Sequence, residues 1–273
     1  MNWRFIDTGP RNGCDNMAID EALFYFFEPS SSLPILRLYG WEPPALSVGR
    51  FQNPDELVDL ETEKTCTVPV VRRMTGGGAI FHRDEITYSI ICSQEQIQSS
   101  SSVKESFRLL TSFLLGFYRA LGLDAAYAVD RFPGDRMLGE RTPFCFAGRE
   151  SYDILIGGRK IGGNAQRRTR KLIFQHGSIP LTVPDPDSLS FLKTGPYEIS
   201  SNSTSLFSEG ISLEACVLKE MLKEQFSESL GAVLLPDSIT SSEERHSQML
   251  ASAKYADSAW NMEGSSNENT TQA

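Results

Sequence analysis

The run from Phe144 to Ser178, FCFAGRESYDILIGGRKIGGNAQRRTRKLIFQHGS, carries the reading of this chain. At its centre Ile154 to Ile156, Gly157-Gly158 and Arg159 to Ile161 read as strand, two-residue turn and strand. A glycine pair in that position supplies the positive φ that a tight hairpin turn demands, and the register then sets Leu155 opposite Lys160. Around the hairpin lie a thiol, Cys145, a Gly-Gly-Asn loop at Gly162 to Asn164, and His176. Arg159, Lys160, Arg167, Arg168, Arg170 and Lys171 follow one another with no acid among them, in a chain of net charge −9. Such a basic run is either a solvated hairpin face or a docking surface for an acidic macromolecule, and an acidic carrier domain fits better than DNA.

Outward from this run the pattern is mixed. Trp3 to Asp7 reads as a strand, and Asp15 to Phe27 as a helix capped by Asp15 or Asn16. Ile35 to Trp41 and Ala45 to Phe51 read as strands joined by a Pro-Pro turn, with a helix opening at Pro54 or Asp55. Val68 to Ser93 gives a strand, a glycine-rich turn and a strand that alternates around Ile86, Tyr88 and Ile90. Val103, Phe107, Leu110, Leu114, Phe117 and Leu121 recur at helical steps, which predicts an amphipathic helix ending near Gly122. Asp130 to Thr142 reads as a surface loop leading to Cys145, Leu213 to Leu230 as a helix, and Glu243 to Trp260 as a last helix. The expected class is α/β (α+β), with mixed β-sheets flanked by helices. The expected layout is one catalytic domain over residues 1–261, its C-terminal part from about 187 a helical appendage, and a disordered polar tail at 262–273.

Composition narrows the function. Of 273 residues, 40% are hydrophobic and 22% charged, an ordinary globular balance. The N-terminal residues lack the basic-then-apolar order of a signal peptide, and no window approaches the roughly 18 apolar residues of a membrane span, so a soluble cytoplasmic protein is expected. The acidic balance argues against nucleic acid as a general partner. Five scattered cysteines with no Cys-x-x-Cys pair support neither a disulfide framework nor a zinc site.

The stretch Arg72-Arg73-Met74-Thr75-Gly76-Gly77-Gly78 exposes backbone N–H groups that any Cβ would screen. It is either a tight turn or a loop for a carbonyl, carboxylate or phosphate; Phe81 breaks the dinucleotide fingerprint, and no Gly-Lys-Ser/Thr follows. His82 and His176 have no partner at metal-ligand spacing. Unpaired cysteines are usually core fillers, but Cys145 follows a proline-bearing loop and precedes Gly148-Arg149, the setting of an open thiol near positive charge. Lys160 close by would favour its thiolate. An extended chain would separate Cys145 from Lys160 by about 30 Å, so residues 145–150 must fold back for the two to meet.

Taken in order, WRFID, RLYGW, LSVGRFQN, RRMTGGGAIFH, the Cys145 segment, GRKIGGNAQRR, QHGS and KYADSAWN resemble the lipoate–protein ligase A and octanoyltransferase family, most closely its LipM-type branch. The resemblance covers all but about the last dozen residues. It implies the biotin/lipoate-ligase catalytic fold and an acyltransferase of lipoate biosynthesis. A cysteine takes octanoyl from octanoyl-acyl-carrier-protein and passes it to a lysine of a lipoyl domain, in this branch that of the glycine-cleavage H protein. Cys145 matches the nucleophile and Lys160 the lysine that tunes it. Arg73, Gly76, Gly77, Gly78 and His82 match the loop beside the acyl carbonyl, and Gly163, Asn164 and Ala165 a second substrate loop. Thr75 stands where many ligases have serine, and Gly78 and Ala79 vary within the branch. A thioester donor implies no cofactor, neither ATP nor metal. The competing readings are an ATP-dependent lipoate–protein ligase, an octanoyl amidotransferase between lipoyl domains, and a non-catalytic acyl- or carrier-binding protein.

Overall fold

The computed structural model describes residues 1–59, 68–97, 102–133, 150–193 and 202–264. Its frame is a six-stranded sheet in the order β10-β11-β6-β2-β1-β13. These strands are β1 (Asn2–Arg11), β2 (Ile35–Trp41), β6 (Glu85–Ser93), β10 (Asn164–Arg168), β11 (Leu172–Pro180) and β13 (Val233–Pro236). β13 and β2 flank β1 in parallel, while β6, β11 and β10 run antiparallel to their neighbours. β2 is buried on both faces: Leu36 and Leu38 join one core, Ile35, Tyr39 and Trp41 the other side.

Three further strands, β3 (Ala45–Val48), β4 (Val70–Arg72) and β5 (Ile80–His82), form a small sheet in the order β4-β3-β5. The two strands expected around the Pro-Pro turn therefore belong to different sheets, and the glycine loop spans β4 to β5 inside the small one. A four-stranded sheet in the order β12-β9-β8-β7 is built from β7 (Ala125–Tyr127), β8 (Ile154–Ile156), β9 (Arg159–Ile161) and β12 (Ser203–Thr204). The central hairpin is as its sequence predicts: Gly157 and Gly158 have φ of 57° and 81°, and Leu155 pairs with Lys160.

One helix, α1 (Gly13–Tyr25), covers one face of the large sheet, with Ile19 and Leu23 against Ile6, Ile35, Ile91 and Phe174. Its cap is Asn12, whose side chain accepts the Asp15 N–H, not Asp15 or Asn16. Asn16 is instead buried inside the first turn and donates to the carbonyls of Arg11 and Gly40. On the opposite face, α2 (Val103–Ala120) buries Leu110, Phe113, Leu114 and Phe117, whereas Val103 is exposed. α3 (Ala215–Leu230) packs on α2 through Leu218, Leu222 and Phe226, with Phe226 edge-on to Trp3 at 4.9 Å. Its successor β13 completes the main sheet, so the stretch read as a helical appendage supplies a strand of the frame.

The C-terminal end closes on the base of the glycine loop. α4 (Ser241–Leu250) opens with a capping box at Thr240 and Glu243, and wide π-helical turns at Ala251–Tyr255 and Ala259–Glu263 follow. Arg72, fully buried, donates to the carbonyls of Trp260, Asn261 and Met262 and to those of Gly49, Arg50 and Gln52. Arg72 is therefore a clasp between β4 and the C-terminal turns, with every nitrogen committed. Removing it leaves buried carbonyls without donors, and Arg72→Ala is expected to destabilise the protein by about 3–5 kcal/mol. A shifted urea midpoint, with new proteolytic nicking at 251–264, would report it.

Candidate functional site

The hairpin delivers Lys160 to the interior, its side chain 2% exposed and its Nζ donating to Asp153 Oδ2 at 2.7 Å. Asp153 also accepts the Glu150 N–H, which ties the entry of the hairpin to its buried charge pair. Sequence reading missed Asp153. The hairpin register could have found it, because a residue two positions before Leu155 shares the face of Lys160 and lies diagonally across from it. Cys145, the predicted partner of this lysine, and the fold-back expected at 145–150 fall outside the described residues up to 149.

Beyond Lys160 the chain turns at Gly162, with φ of 77°, and reaches Gly163, Asn164 and Ala165. This second loop meets the first. A Cβ on Gly77 would lie 3.9 Å from the Ala165 Cβ, and one on Gly49 would clash with the Gly77 carbonyl. Glycine at 49 thus lets β3 lie directly under the loop, and Gly77 itself sits at φ 94°. Arg73, also buried, does not reach outward. Its Nη2 donates to the carbonyls of Gly76 and Gly78, and its Nη1 to the Ser47 carbonyl and hydroxyl. With its carbonyls held inward by Arg73, the loop keeps its amides free, and the N–H groups of Gly76, Gly77 and Gly78 donate to no acceptor among the described residues.

Between the loops is a cavity of about 20 Å³, lined among others by Met17, Tyr39, Trp41, His82, Asn164 and His176. This is room for a single water, so a longer guest enters only if its walls part. His82 stacks on Trp41 at 3.8 Å and is held at both nitrogens, by Ser47 Oγ at 2.7 Å and Glu85 Oε1 at 2.9 Å. Trp41 Nε1 donates to Thr87, whose hydroxyl donates to Glu85. Ser47, Glu85 and Thr87 were not singled out from the sequence, since β3 and β6 come together only through the fold.

His176 faces the loop from β11 and shares a 2.7 Å hydrogen bond with Thr75 Oγ1. Burial first, then the charges of Arg73 and His82, push its imidazole well below the ordinary 6.5. The folded protein thus holds His176 neutral while the unfolded chain takes up a proton below pH 6.5. Stability is intact above that pH and falls beneath it, by at most about 1.4 kcal/mol per pH unit. Urea midpoints at pH 5 and pH 7 are expected to differ in the wild type and to converge in His176→Gln.

The basic run separates into parts. Lys160 is internal, while Arg159 is exposed and paired with Glu209 at 2.8 Å. Arg167 lies over the Phe24 ring, and Arg170 and Lys171 are exposed in the β10–β11 turn at one edge of the large sheet. Among the described cysteines, Cys92 is buried, which pushes its thiol up to about 12, and Cys14 is raised by burial.

A mixed sheet flanked by helices, with a glycine loop closed on a Gly-Gly-Asn loop, defines a lipoate-protein-ligase-like fold. A crystal structure of lipoate-protein ligase A bound with ATP matches it with a TM-score of 0.80, at 27% identity, over 96% of this chain and 99% of that one. The bipartite lipoate protein ligase of Thermoplasma acidophilum matches with a TM-score of 0.78, at 26% identity, over 96% of each chain. The chain belongs to the lipoyl protein ligase A/B catalytic domain family, whose model matches residues 12–232. Octanoyltransferase LipM of Bacillus subtilis is 35% identical, over 95% of this chain and 97% of its own length. Its namesake from Kyrpidia tusciae is 36% identical, over 96% and 98%.

Proposed function

We propose that this chain is a cytoplasmic octanoyltransferase of lipoate biosynthesis, which moves octanoyl from octanoyl-acyl-carrier-protein to a lysine of a lipoyl domain, that of the glycine-cleavage H protein. The observation that carries the reading is that relatives matched along nearly their whole length are named octanoyltransferases. The Cys145 thiolate adds to the donor thioester and expels the carrier thiol, leaving octanoyl on Sγ. The lysine amine of the acceptor then attacks that thioester, forms the amide and returns the thiol. Lys160 stabilises the thiolate. Gly76, Gly77 and Gly78 present amides to the acyl carbonyl, with Gly163, Asn164 and Ala165 across from them. Arg73 and His82 act by holding the first loop and the cavity wall. The exposed arginines of β10 and its turn meet the acidic carriers.

The test is to incubate the protein with octanoyl-acyl-carrier-protein in the absence of ATP and weigh it intact. An octanoyl adduct labile to hydroxylamine is expected. The ATP-bound neighbour at 27% identity supports a second reading, a ligase. Acylation that appears only with free acid and ATP would establish that alternative.

A further inference from the structure

Asn164 opens β10 and lines the cavity. Across the sheet its row is Asn164, Gly177 and Tyr88, and the central position has no side chain. A Cβ there would run into both Asn164 Oδ1 and the Tyr88 ring, so glycine lets the carboxamide and the phenol meet over it. Tyr88 Oη donates to Asn164 Oδ1 at 2.8 Å, Gln175 Nε2 to Tyr88 Oη at 3.3 Å, and Gln166 Nε2 to Gln175 Oε1 at 2.9 Å. The lengths give the chain its direction. At 2.8 Å the first is an ordinary O–H···O bond, whereas the reverse order would require an O–H···O bond of 3.3 Å, beyond the usual range. Burial holds the Tyr88 phenol well above its ordinary value, so it remains an O–H donor.

With Oδ1 committed to Tyr88, the other end of the carboxamide is left over. Its Nδ2 donates to no group among the described residues and is not sealed from solvent. The neighbouring backbone donor is engaged, because the Gly163 N–H points to Ser178 Oγ at 3.3 Å. An oriented N–H₂ without an acceptor, at the junction of two glycine loops, is a preorganised donor for charge that appears only during reaction.

We propose that the Asn164 carboxamide donates to the oxyanion of acyl transfer, and that Tyr88, Gln175 and Gln166 are positioning residues that fix its orientation; this rests on the octanoyl-transfer reading. As Sγ of Cys145 bonds to the thioester carbon, the carbonyl π pair moves onto oxygen and the Nδ2–H bond to it strengthens. Collapse restores the carbonyl, breaks the bond to the carrier sulfur, and that thiolate takes a proton from water. The same donor serves when the acceptor amine attacks.

Single-turnover acylation by octanoyl-acyl-carrier-protein, followed by intact mass, tests this in the wild type, Asn164→Ala, Asn164→Asp, Tyr88→Phe and the Asn164→Ala/Tyr88→Phe double variant. Aspartate keeps the size and the Tyr88 bond but offers only acceptors. Both Asn164 variants are expected to lower the maximal rate by about 10²–10³-fold with the half-saturating carrier concentration within about twofold. Tyr88→Phe is expected to cost about tenfold alone and nothing further once Asn164 is alanine. Thermal melts confirm that each variant is folded, and Asn164→Asp stands in if the alanine variant is not. Asn164→Asp reacting within about threefold of wild type, or Tyr88→Phe slowing the Asn164→Ala variant by its full factor, overturns the proposal. A wild type that forms no adduct at all overturns the octanoyl-transfer reading and this inference with it.

Discussion

Cys145→Ala is expected to abolish the octanoyl adduct and to slow transfer to a lipoyl domain by at least about a thousandfold. Without the thiolate no thioester forms, and the acceptor amine must attack the carrier-bound octanoyl directly, with no covalent intermediate to divide the barrier. Of the other described thiols, only Cys216, on α3, is exposed. Cys92 is sealed in the core with its thiol pushed up to about 12, and Cys14 gives its S–H to the Tyr255 carbonyl. Peptide mapping of the wild type should place octanoyl on Cys145 alone. An adduct of undiminished yield in Cys145→Ala would place the nucleophile elsewhere and end the assignment.

The hairpin was legible because its information is local. Two glycines with positive φ set the turn, the turn sets the register, and the register sets Leu155 against Lys160. The same holds for α2, whose apolar residues recur along a single helix. What escaped was non-local or short. β13 has an unremarkable sequence, and it is a strand because β1 offers it a free edge. Arg72 and Arg73 open the glycine-loop stretch, yet both are spent largely on backbone carbonyls, one on the C-terminal turns and one on the glycine loop. The acceptors of Arg72 lie on distant segments, whereas two of those of Arg73 lie on its own loop, where side-chain direction rather than distance along the chain hid them. The residues of the candidate site fall between these cases. The glycine loops announce themselves by composition, while Ser47, Glu85 and Tyr88 join them only once the small and the large sheet have been assembled.

Lys160→Met is expected to cost about 3–5 kcal/mol of stability, because it strands the Asp153 carboxylate in the interior. The two side chains are 2% and 6% exposed and 2.7 Å apart, so the pair has little water to fall back on. Stability alone does not tell a structural ion pair from a lysine that tunes a thiol, and a second substitution separates the roles. Asp153→Asn keeps an oxygen for the Glu150 N–H while removing the charge, so the Lys160→Met/Asp153→Asn variant holds no stranded ion. Its urea midpoint should return most of the way toward wild type, since a neutral pair of similar shape escapes the desolvation penalty. Its chemistry should not return. On the proposed pairing of Lys160 with Cys145, loss of the cation disfavours the thiolate, and alkylation of Cys145 by iodoacetamide near neutral pH is expected to stay about tenfold or more slower than in the wild type. Recovery of both stability and thiol reactivity in the double variant would show that Lys160 serves only to neutralise Asp153, and the electrostatic part of the mechanism would then have to be sought in another residue.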